Sequence, residues 1–315
     1  MVVTIEIARR LPSLAVDYVL AAMAAQLLAK HGSKEQCGWL EPLGSGSHVH
    51  AFAITEPSGG TDVTQTGTRA VLDGDVWRIT GHKQWISLAE HANLLYVLAR
   101  TDPPDTPGRL ARGLSLLAVE VPQPGIVVTR IPVEGMRASG VCDVVFDGAQ
   151  APADCLVGER GRGLHALSGT LALERTLAAA LSVGISTAVL EFATNYAKDR
   201  MAFGRPVGGF QAVQHPIVES VAGLASSMLM LEWATRLVEE DSDAIAVASL
   251  AKLVASKTAA QAADNAMRLF GAAGYASELL VQMWFGDSRL QLFSPVTNEM
   301  VKNILGEAIG LPRSY

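Results

Sequence analysis

The sequence predicts an α+β multidomain fold: a short N-terminal helical segment, a central β-barrel or sandwich domain, and a C-terminal four-helix bundle. Three observations predict it. An Ala/Leu-rich stretch with helix-end signals opens the chain. Residues 48 to about 150 then change to β-branched runs separated by turn residues. Beyond residue 158 apolar residues return at helical spacing in four long segments. With 315 residues, 49% of them hydrophobic and 18% charged, the chain can bury a sizeable core. The predicted domains are 1–47, 48–157 and 158–315.

The first segment, "LAVDYVLAAMAAQLLAK" (14–30), has Lys30 in its last turn and Gly32 beyond it, the signals of a helix C-terminus. The β region follows: "VWRITG" after the Asp73-Gly74-Asp75 turn, then "LLYVLAR", "LSLLAVEVP", "GIVVTRIP" and "CDVVFDG". Between two of these strands "TDPPDTPGRLARG" (101–113) reads as a Pro/Gly loop. The helical segments lie near 164–198, 211–239, 244–272 and 287–309, with breaks at Gly204-Arg205-Pro206 and at Gly271–Gly274. Short connections between long helices predict antiparallel packing.

A formal charge of −6, with no basic run longer than Arg9-Arg10, excludes the electrostatic footprint of a nucleic-acid binder. Cys37, Cys142 and Cys155 lie far apart without CxxC spacing, which argues against a disulfide framework or a thiolate zinc site and suits a reducing cytoplasm. Pro12 and Asp17 interrupt the N-terminal apolar stretch, so it reads as a helix and not as a signal peptide. The charge-free helical stretches contain Ser, Thr and Gly and fall short of the ~20 apolar residues a span requires, so no membrane span is expected. His48 and His50 alternate as on one strand face but have no third ligand at useful spacing, so no metal site is expected. "GERGRG" (158–163) does not follow a strand in a βαβ unit and reads as a loop, and Met228 and Met230 read as core filler.

Two segments of the β region suggest chemistry. "ITEPSGGTDV" (54–63) combines hydroxyls, carboxylates and a Gly-Gly pair whose open amides can line an extended polar ligand, or can simply form an acid-rich turn. "GHKQWIS" (81–87) ends a strand on Trp85, Ile86 and Ser87, where the Trp reads equally as core.

Taken with "MRASGVCDVVFDGAQAP", "LVGERGRG", "NYAKDRMAFGRPVGGFQAVQ" and "RLFGAAGY", these segments resemble, in order and spacing, the signature segments of the acyl-CoA dehydrogenase flavoprotein family. The resemblance implies an enzyme that uses FAD to oxidise an acyl-CoA thioester to the 2-enoyl-CoA. It implies that Thr55 and the Ile54 backbone contact the flavin ring, Thr61 the phosphate region, Trp85 the ring face and Ser87 the N5 edge. Arg200, Phe203 and Gln211 would reach a neighbouring subunit's cofactor, placing FAD at the interface of an oligomer, a tetramer of this chain or a complex with a homologous subunit. Independently, the planar fork of Arg200 suits a pyrophosphate. The electron acceptor implied is an electron-transfer flavoprotein or similar protein.

The chemistry requires a base to take the proton α to the thioester. Many family members carry it as a glutamate near the C-terminus. Here the matching stretch is "QLFSPVTNE", and anchoring on Thr297, which is counted among the cofactor contacts, puts Pro295 at that place. Proline cannot accept the proton and also lacks the N–H that helps hold the thioester carbonyl in the family. Isovaleryl-CoA dehydrogenase and some relatives instead take the glutamate from the helix opening the bundle. "LALER" puts Glu174 there, with Arg175 beside it toward substrate; these are the only formal charges between Arg162 and Glu191. The plain alternative is an Arg175-paired structural carboxylate.

Other departures are Arg268 and Ala272 in the segment that normally contributes to a neighbour's adenosine diphosphate site, and an N-terminal segment of only about 45 residues before the β region. Together with the missing C-terminal base they resemble heteromeric members acting on steroid side-chain CoA thioesters, and they imply a pocket for bulky acyl groups. Two other readings compete: a non-catalytic subunit completing a partner's FAD site, and a flavin oxidase or monooxygenase of the same build.

Overall fold

A computed structural model describes residues 1–103 and 111–313. The chain divides into two compact units, one made of Met1–Val19, Glu134–Met136 and Ala172–Tyr315, the other of Leu20–Val133 and Arg137–Leu171. The division falls inside a helix near the N-terminus, so contacts group the chain differently from the three consecutive segments read from the sequence. The N-terminal region forms α1 (Val2–Arg10), α2 (Pro12–His31) and α3 (Leu40–Ser45). Leu11, before Pro12, leaves helical geometry, as a residue preceding proline does, and this separates α1 from α2.

The β unit contains β1 (His50–Ala53), β2 (Arg69–Asp73), β3 (Val76–Ser87), β4 (Leu94–Arg100), β5 (Leu114–Glu120), β6 (Ile126–Arg130) and β7 (Val141–Pro152). Among the described residues β2, β3, β7 and β6 form an antiparallel run. β4 pairs in parallel with β1 and antiparallel with β5, and a single Arg69–Arg100 step joins β2 to β4. Gly74, with φ 63°, makes the turn between β2 and β3 that Asp-Gly-Asp predicts. β4 and β5 read as unbroken apolar runs because both of their faces are covered. Leu95, Val97 and Ala99 join Leu117 and Val119 in one core cluster. Leu94, Tyr96 and Leu98 join Leu114, Leu116 and the α2 residues Ala24, Leu27 and Leu28 in another. Of the loop 101–113, residues 104–110 lie outside the described residues. The "GERGRG" stretch is a loop ahead of α4 (Gly163–Ser168), tied down by Arg160 on Asp102.

The helical unit is built on α5 (Leu171–Asp199), followed by a small hairpin of β8 (Met201–Ala202) and β9 (Arg205–Pro206). Then come α6 (Gln211–Glu239), α7 (Ile245–Phe270), α8 (Leu280–Leu290) and α9 (Asn298–Ala308). Gly184 of α5 meets α1 so closely that an added Cβ would stand 2.5 Å from the Ile5 carbonyl oxygen. The single helix expected over 287–309 is two helices, because Pro295 lacks the donor a continuing helix needs and Thr297 restarts the chain as N-cap of α9, accepting from Met300 N at 3.1 Å.

Two expectations fail here. α2, α5 and α6 are each long and apolar enough to cross a membrane by length and composition. For α5 that character is explained by packing, since 83% of its apolar window is buried in the protein, against 22% for α6. Met228, read as core filler, is exposed on α6 together with Val218, Val221, Leu229 and Trp233, because that helix turns a broad apolar face away from its own unit.

Candidate active site

In the β unit the chain leaves β1 at Ile54, Thr55 and Glu56 beside the end of β3. The Gln84 N–H donates to the Thr55 carbonyl (2.9 Å), and Lys83 Nζ donates to the Ile54 carbonyl (2.9 Å) and to Glu56 Oε1 (2.9 Å). Glu56 also accepts from Gly67 N (2.7 Å) and Thr68 N (2.9 Å). Burial by itself would raise the Glu56 carboxyl, but Lys83 and the backbone donors outweigh it and hold the group at about 2. Burial draws Lys83 down to about 8 against the opposing pull of Glu56. Both are therefore ionised at neutral pH.

Directly after Lys83 the ladder with β7 slips: Lys83 pairs with Val144 and Ile86 with Cys142, so Gln84 and Trp85 stand opposite Asp143 alone. This bulge puts Trp85 at φ 64° and turns its indole out of the sheet, 55% exposed, with Ser87 half-buried at the strand end. Trp85 is thus a surface ring and not core. Thr61 is exposed beyond the Gly59-Gly60 pair.

Sequence reasoning singled out neither Lys83 nor Glu56, although their buried pair lies beside both of the segments it nominated. Lys83 shares the inward phase of β3 with Trp77 and Ile79, and a charge in that phase must find a buried partner; the period of two carried the signal.

In the helical unit Glu174 lies in the first turn of α5, partly accessible yet crowded by protein, and that desolvation raises its carboxyl to about 7 while Arg175 opposes. Arg175 is only 5% exposed: its Nη1 donates to Ser249 Oγ of α7 at 2.7 Å, and its Nε is buried with no acceptor among the described residues. The guanidinium therefore points into the helices and does not present an open surface to substrate. On α7, the fully buried Lys252 donates to the Val296 carbonyl (2.7 Å) and Asn298 Oδ1 (2.8 Å), clasping the turn between α8 and α9. Pro295 is exposed on that turn; Thr297 uses its hydroxyl as a cap; Glu299 is exposed and paired with Lys302 at 3.3 Å.

Arg200, Phe203 and Gln211 cluster around the β8–β9 hairpin. Arg200 and Gln211 are exposed, and Phe203, at φ 50° next to Gly204 at φ 76°, is 95% exposed. Arg268 is exposed and pairs with Asp264 at 2.9 Å. A cleft of about 550 Å³ lined by Glu219, Lys257, Gln261, Asp264 and Arg289 contains none of the predicted residues, and its charges balance two against two. His50 is buried, with Nδ1 3.0 Å from Tyr96 Oη, while burial lowers its pKa to about 4; among the described residues no group of three possible metal ligands occurs.

These residues fit FAD. The β unit offers an outward indole and the hydroxyls of Thr55, Thr61 and Ser87; the helical unit offers the exposed Phe203 ring, edge-on to Phe210, and an exposed guanidinium, which suit a flavin and a pyrophosphate. The acyl-CoA dehydrogenase middle domain matches residues 51–149 and the acyl-CoA dehydrogenase C-terminal domain residues 161–310. The chain is 32% identical over 290 residues to the human mitochondrial short-chain specific acyl-CoA dehydrogenase, covering 91% of this chain and 69% of that protein. It is 32% identical over 271 residues to the cyclohex-1-ene-1-carbonyl-CoA dehydrogenase of Geobacter metallireducens, covering 85% and 70%. The structure of butyryl-CoA dehydrogenase from Megasphaera elsdenii superposes with a TM-score of 0.92 at 27% identity, covering 97% of this chain and 80% of that one. With both of its domains matched, this chain belongs to the acyl-CoA dehydrogenase family of FAD-dependent oxidoreductases acting on acyl-CoA thioesters.

Proposed function

We propose that Glu174 is the base of an α,β-dehydrogenation whose substrate carries a bulky, ring-bearing acyl group, steroid-derived ones included. The observation that carries the assignment is the carboxyl of Glu174, raised by desolvation to about 7, in a chain that has Pro295 at the alternative position. A base poised near working pH is partly ionised and still basic enough to take a weakly acidic proton. FAD, when bound, supplies the acceptor for the hydride leaving the β-carbon. Glu174 takes the α-proton, and Arg175, bonded to Ser249, holds its charge close enough to keep the carboxyl from rising further.

The similarity to a dehydrogenase whose substrate carries a cyclohexene ring supports the acyl class. The exposed apolar face of α6 and the exposed Arg200, Phe203 and Gln211 support an oligomer in which those three residues serve a neighbouring copy's FAD; a tetramer is the proposed state, with an electron-transfer flavoprotein as acceptor. The test is anaerobic bleaching of the bound flavin by a series of acyl-CoA thioesters. Faster bleaching by cyclic acyl groups than by butyryl-CoA supports the proposal, and a clear preference for butyryl-CoA refutes the substrate class.

A further inference from the structure

Lys83 and Glu56 form a buried ion pair directly behind the two stretches of backbone assigned to the flavin. Their side chains are 0% and 7% exposed, so neither can be a surface contact for a ligand. Nor is stability a sufficient reason for the pair, because the cost of desolvating two charges commonly cancels their attraction and apolar residues of the same volume fill a core as well. What an apolar pair cannot supply is direction.

Lys83 Nζ fixes the Ile54 carbonyl at 2.9 Å and Glu56 Oε1 at 2.9 Å, while the same carboxylate takes the N–H groups of Gly67 and Thr68 at 2.7 and 2.9 Å. Three separate stretches, 54–56, 67–68 and 83, are thereby set at hydrogen-bond distance from one centre. Lys83 is also the last residue in register before the bulge that turns Trp85 outward at φ 64°. A bulky residue in the left-handed region is unfavourable alone and persists where its surroundings hold it. Here the holding contacts on its N-terminal side are the Gln84 bond to Thr55 and the Lys83 pair.

We infer that Lys83 and Glu56 are positioning residues for FAD: their buried pair sets the spacing between the Ile54-Thr55 backbone and Trp85–Ser87, and cofactor retention depends on it.

The experiment compares FAD affinity of the apoprotein, by quenching of flavin fluorescence, with the visible circular dichroism of bound flavin and the Tm of the apoprotein. Lys83→Met strands a buried carboxylate and can fail to fold for that reason alone. The double variant Lys83→Met/Glu56→Leu removes both charges, and Glu56→Gln keeps the shape and one acceptor oxygen. For the double variant the expected result is an apoprotein that melts as cooperatively as the parent, an FAD Kd raised at least ~10-fold, and an altered flavin dichroism, with Glu56→Gln intermediate. A merely structural pair would move Tm and leave the affinity and spectrum of the folded protein alone. Parental FAD affinity with an unchanged flavin spectrum, in the double variant or in Glu56→Gln, overturns the inference.

Discussion

Glu174 and Arg175 are consecutive on α5, yet the arginine is committed elsewhere: its Nη1 bonds to Ser249 Oγ at 2.7 Å, and burial of the glutamate outweighs the attraction between them. Neighbours in a helix point about 100° apart, so a sequence pair need not be a structural pair. The carboxyl is left raised, at about 7, in the condition a general base requires.

Glu174→Gln preserves shape and removes the basic oxygen. Flavin reduction by acyl-CoA, followed by stopped-flow absorbance, is expected to fall by at least ~10² with FAD and acyl-CoA binding nearly unchanged. In the parent the rate should climb with pH through about 7 as the carboxyl ionises, and the variant should lack that step. A parental rate in the variant would move the base to another residue or a partner chain and make the non-catalytic-subunit reading the leading one.

The same carboxyl has a stability signature of definite sign. Its folded pKa lies above its unfolded one, so between about 4.5 and 7 the folded state binds more protons and loses stability as pH rises. The contribution is fully present below the unfolded value and gone above the folded one. Relative to the parent, Glu174→Gln should therefore gain in Tm at pH 8 compared with pH 5. Thermal scans of the apoproteins at the two pH values measure it, and a difference independent of pH would contradict a desolvated carboxyl.

Arg200→Ala should weaken FAD retention roughly tenfold or more, the scale of one lost charge-assisted hydrogen bond. Because Arg200 is exposed, the apoprotein's Tm should hardly change. Flavin content after gel filtration at rising dilution reads the effect; retention equal to the parent's removes Arg200 from the cofactor site.

Leu229 is 68% exposed on the same α6 face as Trp233 and Met228. Leu229→Glu should shift sedimentation toward smaller species while far-ultraviolet dichroism stays unchanged, since a charge buried without a partner at a subunit interface is costly and the same charge in water is not. An unaltered sedimentation profile would place the interface on another surface.

The sequence by itself determined the α+β class, the family, the cofactor and the position of Glu174 at the start of α5, because these rest on local periodicity and on spaced motifs that survive without neighbours. It also showed the loss at Pro295, since proline's missing donor is a property of the residue. The tertiary structure decided what depends on who lies next to whom. Arg175 turned inward to Ser249 because α7 passes there, which no reading of "LALER" contains. The turn that Pro295 opens between α8 and α9 is held in place by Lys252 of α7, which donates to the Val296 carbonyl from 44 residues away. Trp85 came to the surface through a bulge set by its pairing with β7, although its residue type favours a core strand. Lys83, the eighth residue of β3, stood in an inward phase that was readable, but its partner Glu56 lies 27 residues away, and only folding brings that carboxylate within 2.9 Å of its amine.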